Sequence, residues 1–474
     1  MEIIEFFTEL FKNGLLIYTA ALIFAYISLS IFSIYETRSY LQRNSFVDYS
    51  IISESPLSPS ISVIAPAYNE GATIVQNVHS LLSLHYQKSE VIIVNDGSTD
   101  NSLQLLKKSF ELEKIEFKIN QQLRTQPPRG VYKSKNAKYA KLIVIDKENG
   151  GKSDALNLGI NVASNKLIAC VDVDCILEKD SLVRMVKPFL EETEKRVIAV
   201  GGVLRIANSC EIKDGEIVQV NLPEKFIPRI QAVEYLRAFL LGRMAWSRLN
   251  GLLLISGAFG LFDKEIVIAC GGYDITTVGE DMELVVKMRI YMHSLKEKYK
   301  MVYIPEPLCW TETPESLRIL GAQRNRWTRG TAETLVRHKK LFLNPKFKLL
   351  GLLSYPYWLV FEWAAPIVEF LGFINFLILA FLGYVYWKFF WGLLILVYSF
   401  SVVYSLFAVL IEEVTYHQYK KKWDLAKILL GILVEPIFFH PYLVLAAIRG
   451  NFDWIVGKKN WGEMKRKGFH STRN

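Results

Sequence analysis

The sequence predicts an α/β domain of the doubly wound type set between membrane-spanning helices, and three observations predict it. Hydrophobic residues make up 51% of the 474 positions and charged residues 22%, with a mean hydropathy of +0.19. An average globular protein carries about 25% charged residues, so part of the chain belongs in lipid. The apolar residues are concentrated at the two ends. Between them, from about residue 50 to 345, short apolar runs alternate with helical patterns at the spacing of strand–loop–helix units.

Composition also excludes several classes. The 28 Gly and 16 Pro are ordinary contents and rule out collagen-like or low-complexity chains. Cys170, Cys175, Cys210, Cys270 and Cys309 form no C-x-x-C pair and no zinc spacing. An odd number of scattered cysteines reads as free thiols in a reducing compartment. The net charge of +9 is mild, and its basic residues gather at membrane-facing positions without interleaved aromatics on one face, which sets nucleic-acid binding aside. The seven histidines, His79, His85, His417 and His440 among them, are too dispersed for a metal site.

Residues 14–35 contain no charge, which is long enough to cross the ~30 Å hydrocarbon core as a helix. A cleaved signal peptide needs a basic leader, whereas Glu2, Glu5 and Glu9 stand here against Lys12 alone. Arg38 and Arg43 follow the run, so the positive-inside bias places residue 38 onward in the cytosol and makes residues 1–48 a membrane anchor. At the other end, residues 346–448 carry the remaining membrane segments. Residues 349–387, broken by Glu362, Glu369, Pro356 and Pro366, read as one kinked helix with an interfacial piece before it or as two short crossings. Residues 389–411 are a clean span. Residues 428–448 hold Glu435-Pro436 and His440-Pro441 between two basic stretches, Lys420-Lys421-Lys422 and the tail 449–474. Both stretches should be cytosolic, so the last segment is expected to be re-entrant or interfacial, with non-helical backbone at its prolines.

In the central region, taken as a cytosolic domain over residues 50–313, Ser62-Val63-Ile64-Ala65 is a first buried strand followed by a turn and a helix to about residue 84. Val91-Ile92-Ile93-Val94 is a second, and residues 167–171 another. Ligands of such sheets bind beyond the carboxyl ends of the strands, and that is where five polar clusters fall. Pro66-Ala67-Tyr68-Asn69-Glu70 with Asn95-Asp96-Gly97-Ser98 offers an aromatic ring and carboxylates suited to a flat, hydrogen-bonding base such as uracil, although both are also good turn material. Asp172-Val173-Asp174 can hold Mg2+ or Mn2+ against a diphosphate. Asn149-Gly150-Gly151-Lys152 allows close backbone approach and a phosphate-neutralising lysine, or simply opens a helix with a solvated one. Gly279-Glu280-Asp281 supplies a general base, or a helix cap. Gln323-Arg324-Asn325-Arg326-Trp327 lies on an amphipathic helix, within residues 314–345, suited to a membrane interface. The stretch 107–147, with Arg124, Arg129, Lys133, Lys135, Lys138 and Lys141, reads as a solvated loop in preference to a site that touches anionic lipid or substrate.

Taken together and in this order, the clusters resemble the membrane-embedded family 2 glycosyltransferases of the polysaccharide synthase type, which include cellulose, hyaluronan and poly-N-acetylglucosamine synthases. The resemblance covers about residues 60–335 by motif and rests most on Asp172-Val173-Asp174, Glu280-Asp281 and the set Gln323, Arg326, Trp327. Trp461-Gly462-Glu463-Met464-Lys465-Arg466 in the basic tail has the flavour of bacterial members. It implies a nucleotide-sugar-binding domain of the GT-A type, in a multi-pass protein of the cytoplasmic membrane with its catalytic domain in the cytosol. Pro66, Tyr68, Glu70 and Asp96 would then hold the uridine of a UDP-sugar, with Lys152 assisting. Asp172 and Asp174 would bind the diphosphate and Mg2+ or Mn2+. Asp281, beside Glu280, would be the general base. Arg326, with Gln323, would contact the pyrophosphate and Trp327 would stack on the sugar at the acceptor end. Cellulose synthases have Thr before the Glu-Asp pair, whereas here it is Gly279, which argues against cellulose as product.

The expected activity is an inverting transfer that builds a β-linked polysaccharide, processive and coupled to export, with Glu362, Glu369 and Glu435 lining a polar path. The alternative is non-processive transfer of one sugar to a membrane lipid acceptor. Asp96, Asp172, Asp174 and Asp281 are all present, which disfavours a binding protein without catalysis. The expected partners are the donor, a glycan or lipid acceptor and membrane lipids; the resemblance leaves room for an accessory export or regulatory subunit.

Overall fold

The computed structural model describes residues 2–213 and 215–458, so the tail motif at 461–466 lies outside the described residues. Two compact units share the chain. A sheet unit takes residues 39–224 and 252–313, and a helical unit takes 2–38, 225–251 and 314–458. The domain expected over 50–313 is therefore interrupted. Residues 225–251 carry Ile230, whose core partners are Leu320 and Phe439 of the helical unit.

Twelve strands belong to the sheet unit: β1 (Ile61–Ala67), β2 (Ser89–Asp96), β3 (Leu112–Ile115), β4 (Pro128–Ser134), β5 (Leu142–Lys147), β6 (Leu167–Val171), β7 (Ile176–Leu177), β8 (Arg196–Ile206), β9 (Glu211–Lys213), β10 (Glu216–Gln219), β11 (Phe259–Asp263) and β12 (Tyr299–Thr311). Ten of them form one mixed sheet in the order β3-β4-β5-β2-β1-β6-β11-β8-β12-β7, and β9 and β10 make a separate hairpin. The parallel strands β5, β2, β1 and β6 are buried along almost their whole length, as expected when both faces of a parallel sheet are covered. The helix Lys152–Val162 packs on β1 and β2. Register aligns Ala67 with Asn95 and Asn95 with Asp146, while β6 ends at Val171 beside β1. The polar clusters after these strands thus emerge along one edge.

The stretch 107–147 is a structured extension and not the solvated loop expected of it. Strands β3 and β4 add antiparallel to β5, and Lys147 at the end of β5 is fully buried. Its many lysines masked the alternation of Val131 and the run Leu142 to Ile145, which supply the buried side.

Four helices among the described residues are long and apolar enough to cross a membrane: Phe11–Asn44, Leu350–Leu382, Trp387–Thr415 and Trp423–Ile455. The stretch after residue 349 is one helical run with wide π turns at Leu350–Ser354 and Trp358–Trp363. The last segment differs from expectation, because its backbone stays helical through both prolines. Pro436 stands at the start of a π turn, Glu435–Phe439, and Pro441 at the start of the helix His440–Ile455. Both prolines lie inside one continuous helical run, Trp423–Ile455, and the wide π turn Glu435–Phe439 takes up the N–H they lack, so no break is needed. The three apolar-region glutamates are partnered inside the helical unit. Arg237 meets Glu435 through two nitrogens, each at 3.1 Å, and Ser405 at 2.7 Å. The Tyr357 hydroxyl donates to Glu362 at 3.0 Å, and His440 Nε2 lies 2.7 Å from Glu369.

Candidate active site

Loops after β1, β2, β5 and β6 converge in the sheet unit. Asn69, at φ +57°, accepts from the backbone N–H of Thr99 at 2.8 Å and donates its own N–H to Ser98 Oγ at 3.0 Å. The Glu70 N–H donates to Ser102 Oγ at 3.0 Å. These bonds fix the two turns against each other and leave the Tyr68 ring half exposed. The turn chemistry and the site are one feature here, since the Asn-Asp-Gly-Ser turn shapes the cleft that holds Tyr68.

Asp96 is buried, and its role is clearer than its type alone could show. Its carboxylate accepts from Lys147 Nζ at 2.6 Å and from the N–H groups of Gly150 and Gly151 at 2.9 and 2.8 Å. The Asn149 amide donates to the Asp96 carbonyl at 2.8 Å. Asp96 therefore clamps the loop that delivers Lys152. Two glycines permit this. Gly151, at φ +87°, precedes the helix Lys152–Val162. Gly97, at φ +67°, lies where an added Cβ would come 2.8 Å from the Asn149 nitrogen. Gly97→Ala should push the Lys152 loop away and cost about 1–2 kcal/mol from the left-handed backbone alone. Thermal unfolding and transfer rate should both fall, and wild-type values for both would refute the clamp.

Lys152 is not solvated. Its ammonium sits 2.5 Å from Asp172 Oδ1, 3.6 Å from Glu280 and 3.4 Å from the Gly257 carbonyl. Burial pulls its pKa down, but Asp172 and Glu280 outweigh burial and hold it above the ordinary lysine range, so the charge is kept. The Gly257 N–H in turn donates to Asp281 Oδ2 at 3.1 Å, and the Asp172 N–H donates to the Ala258 carbonyl at 3.1 Å. Residues far apart in sequence thus meet: Lys152 and Asp172 with Glu280, and Asp281 through Gly257. Glu280 is buried behind the lysine and serves as its ion partner, while Asp281 is less covered. The floor beneath carries no charge, since burial pushes the Cys170 thiol up to about 12 and raises the Tyr273 hydroxyl.

Asp172, Asp174 and Cys175 each place one ligand atom within 4.8 Å of the others. A hydrogen bond with Cys309, together with burial, raises the Cys175 thiol well above its usual range, and a soft sulfur is a poor match for a hard cation that prefers oxygen. The two carboxylates that remain suit a hard divalent cation.

Gln323, Arg326 and Trp327 lie on the helix Leu317–Arg337 of the helical unit, which packs on the helix His440–Ile455. Gln323 is buried, and Trp327 is 41% exposed with the Arg324 guanidinium 4.2 Å over its ring. Arg324 pairs with Glu234 at 2.7 Å, and Asn325 donates to Asp453 at 2.8 Å. Sequence reading missed Lys147 and Gly257. Lys147 was hidden among solvated lysines, although its place directly after an apolar run and an aspartate was a usable signal. Gly257 carried none.

Comparison with known proteins bears on the family and the fold. Residues 62–213 match the profile described as Glycosyl transferase family 2, and residues 216–411 match Glycosyl transferase family group 2. A poly-beta-1,6-N-acetyl-D-glucosamine synthase of Staphylococcus epidermidis is 29% identical over 350 residues, covering 74% of this chain and 71% of that one. The protein of the same description from Staphylococcus aureus (strain COL) is 30% identical over 314 residues, covering 66% and 64%. Among solved structures, a mannosyltransferase of Pyrobaculum calidifontis, in complex with GDP-Man and Mn2+, superposes with a TM-score of 0.53 at 16% identity, over 94% of this chain and 99% of that one.

Proposed function

Since the chain belongs to glycosyltransferase family 2, with a GT-A-type sheet and apolar helices long enough to span a membrane, we propose that it transfers N-acetylglucosamine from UDP-N-acetylglucosamine to a growing β-linked glycan. The sugar is the one in the names of its relatives. The observation that carries the reading is the meeting of Lys152, Asp172, Glu280 and Asp281 at one strand-end cleft.

In this reading the uracil sits against Tyr68 in the cleft shaped by Asp96. Lys152, kept charged by Asp172 and Glu280, turns to the diphosphate and stabilises the negative charge that develops on it. Asp172 and Asp174 fit Mg2+ or Mn2+, which when bound would neutralise the same diphosphate. Asp281, on the opposite side of the reacting carbon, takes the proton of the acceptor hydroxyl. The new acceptor O–C1 bond forms as the C1–O bond to phosphate breaks, and UDP leaves. One in-line displacement inverts an α-linked donor to a β-linked product. Gln323, Arg326 and Trp327 would act on the pyrophosphate and the acceptor end. Processive extension and export across a cytoplasmic membrane, with the sheet unit on the cytosolic side, complete the proposal.

Purified protein in lipid, supplied with a panel of radiolabelled nucleotide sugars, tests it. A long glycosidase-sensitive polymer from UDP-N-acetylglucosamine is the expected result. A short lipid-extractable product would replace polymerisation by single transfer, and use of another donor alone would overturn the sugar. Chelation with EDTA should abolish transfer and excess Mg2+ or Mn2+ should restore it; full activity after exhaustive chelation would remove the metal from the scheme.

A further inference from the structure

The helical unit contains an apolar cavity of about 240 Å³ that the transfer reaction does not use. Its walls come from two neighbouring stretches of chain. Leu335 and Val336 belong to the end of the helix Leu317–Arg337. Lys339 and Phe342 follow it, and Tyr355 and Trp363 lie in the first turns of the candidate span Leu350–Leu382. The space exceeds the ~150 Å³ apolar cavity that accepts benzene.

The aromatic walls present only hydrocarbon, because their polar atoms are already used. The Tyr355 hydroxyl donates to the Leu335 carbonyl at 2.5 Å, and the Trp363 indole N–H donates to Asn451 Oδ1 at 2.8 Å. A sugar or nucleotide would find no partners on such walls. Val336 and Phe342 are 46% and 44% exposed, so the cavity reaches the surface. Lys339 is the one charged residue of the lining, and it too is exposed. Around it, Lys340, Lys346 and Lys348 are exposed as well, and residues 337–348 contain no acid.

Polarity therefore changes along the chain in one direction. Residues 339–348 are basic and lie just before the span, and residues 355–363 are aromatic and lie within it. A ligand with an anionic head and a hydrocarbon tail matches both ends, and basic clusters beside a span attract anionic lipid. We propose that this cavity holds one acyl chain of an anionic diacyl phospholipid, with its phosphate held by Lys339 and Lys340.

The helix that forms one wall also carries Gln323, Arg326 and Trp327 two to four turns earlier. A bound lipid would thus brace the C-terminal end of that helix at the depth of the headgroups.

The test uses the full chain, purified in detergent and titrated with phosphatidylglycerol or phosphatidylcholine while native mass spectrometry counts the lipids retained. Phosphatidylglycerol should be kept in preference to phosphatidylcholine. Val336→Trp, which fills the mouth from an exposed position, should reduce its retention at least about tenfold. Lys339→Gln with Lys340→Gln should weaken it by roughly fivefold per charge removed. All three positions are at the surface, so the two variants report independently of the core. Equal retention of the two lipids, or wild-type retention in either variant, would overturn the assignment.

Discussion

Asp281→Asn should lower sugar transfer by about 10²–10⁴-fold, the range that a positioned general base contributes, while nucleotide binding stays within about twofold of wild type. The side chain stands at the start of the helix Glu280–Leu295, where Oδ2 accepts from the Gly257 N–H at 3.1 Å and Oδ1 from the Met282 N–H at 2.8 Å. Asparagine has the same shape but its amide cannot take a proton from an acceptor hydroxyl. Asp281 reaches the Lys152–Asp172 pair only through Gly257 and as the smallest of the charges acting on Lys152, and the Asp96 clamp does not involve it, so the donor side of the cleft should be little affected. Single-turnover transfer and calorimetric UDP binding, measured on the same preparation, separate the two effects. Retained transfer, or loss of UDP binding as the main defect, would remove Asp281 from the role of base.

Lys147→Met should destabilise the sheet unit by about 3–5 kcal/mol, the cost of leaving a buried ion pair with one partner missing. The ammonium is fully buried and stands 2.6 Å from Asp96 and 2.7 Å from Asp154. Its removal leaves two buried carboxylates close together, with backbone N–H groups from Gly150, Gly151 and Gln126 as their remaining donors. Thermal unfolding should drop by on the order of 10 °C, and nucleotide affinity should fall with it because the loop to Lys152 loses its clamp. Lys147→Arg should recover neither fully, since a planar guanidinium fork does not reproduce a compact ammonium held between two carboxylates. A melting temperature within a degree of wild type for Lys147→Met would show that the carboxylates find protons or other partners without cost.

The central strands could be read from the sequence because burial on both faces leaves uninterrupted apolar runs, and the runs at Ile64 and Ile92 need no tertiary information to be recognised. The Asp172/Asp174 pair and the Glu280-Asp281 pair stood out for a related reason, as each follows such a run or opens a helix. Lys147 did not. A lysine's burial is decided by carboxylates 51 residues before it and 7 after it, at Asp96 and Asp154, and the apolar run and aspartate just before it are the only local sign of that. The helical path through Pro436 and Pro441 was misread for the opposite reason, because a proline was taken as a break where a wide turn absorbs it. The assignment of residues 225–251 to the helical unit also depends on partners placed much later in the chain, and the alternating pattern around them resembles any buried helix.

That interleaving constrains how the protein can be made. Arg237 leaves the ribosome 198 residues ahead of Glu435, the carboxylate that receives it. At ~5–20 residues per second the delay is roughly 10–40 s. During that time the guanidinium lacks the bidentate carboxylate that meets it in the folded unit and has only the Glu234 charge one helical turn before it, so the segment around it cannot complete its burial on first emergence. The enzyme's helical half is therefore closed last, by a segment synthesised after the whole catalytic sheet, and a chain cut short before residue 435 would leave that guanidinium without its bidentate carboxylate, a defect that quality control can detect.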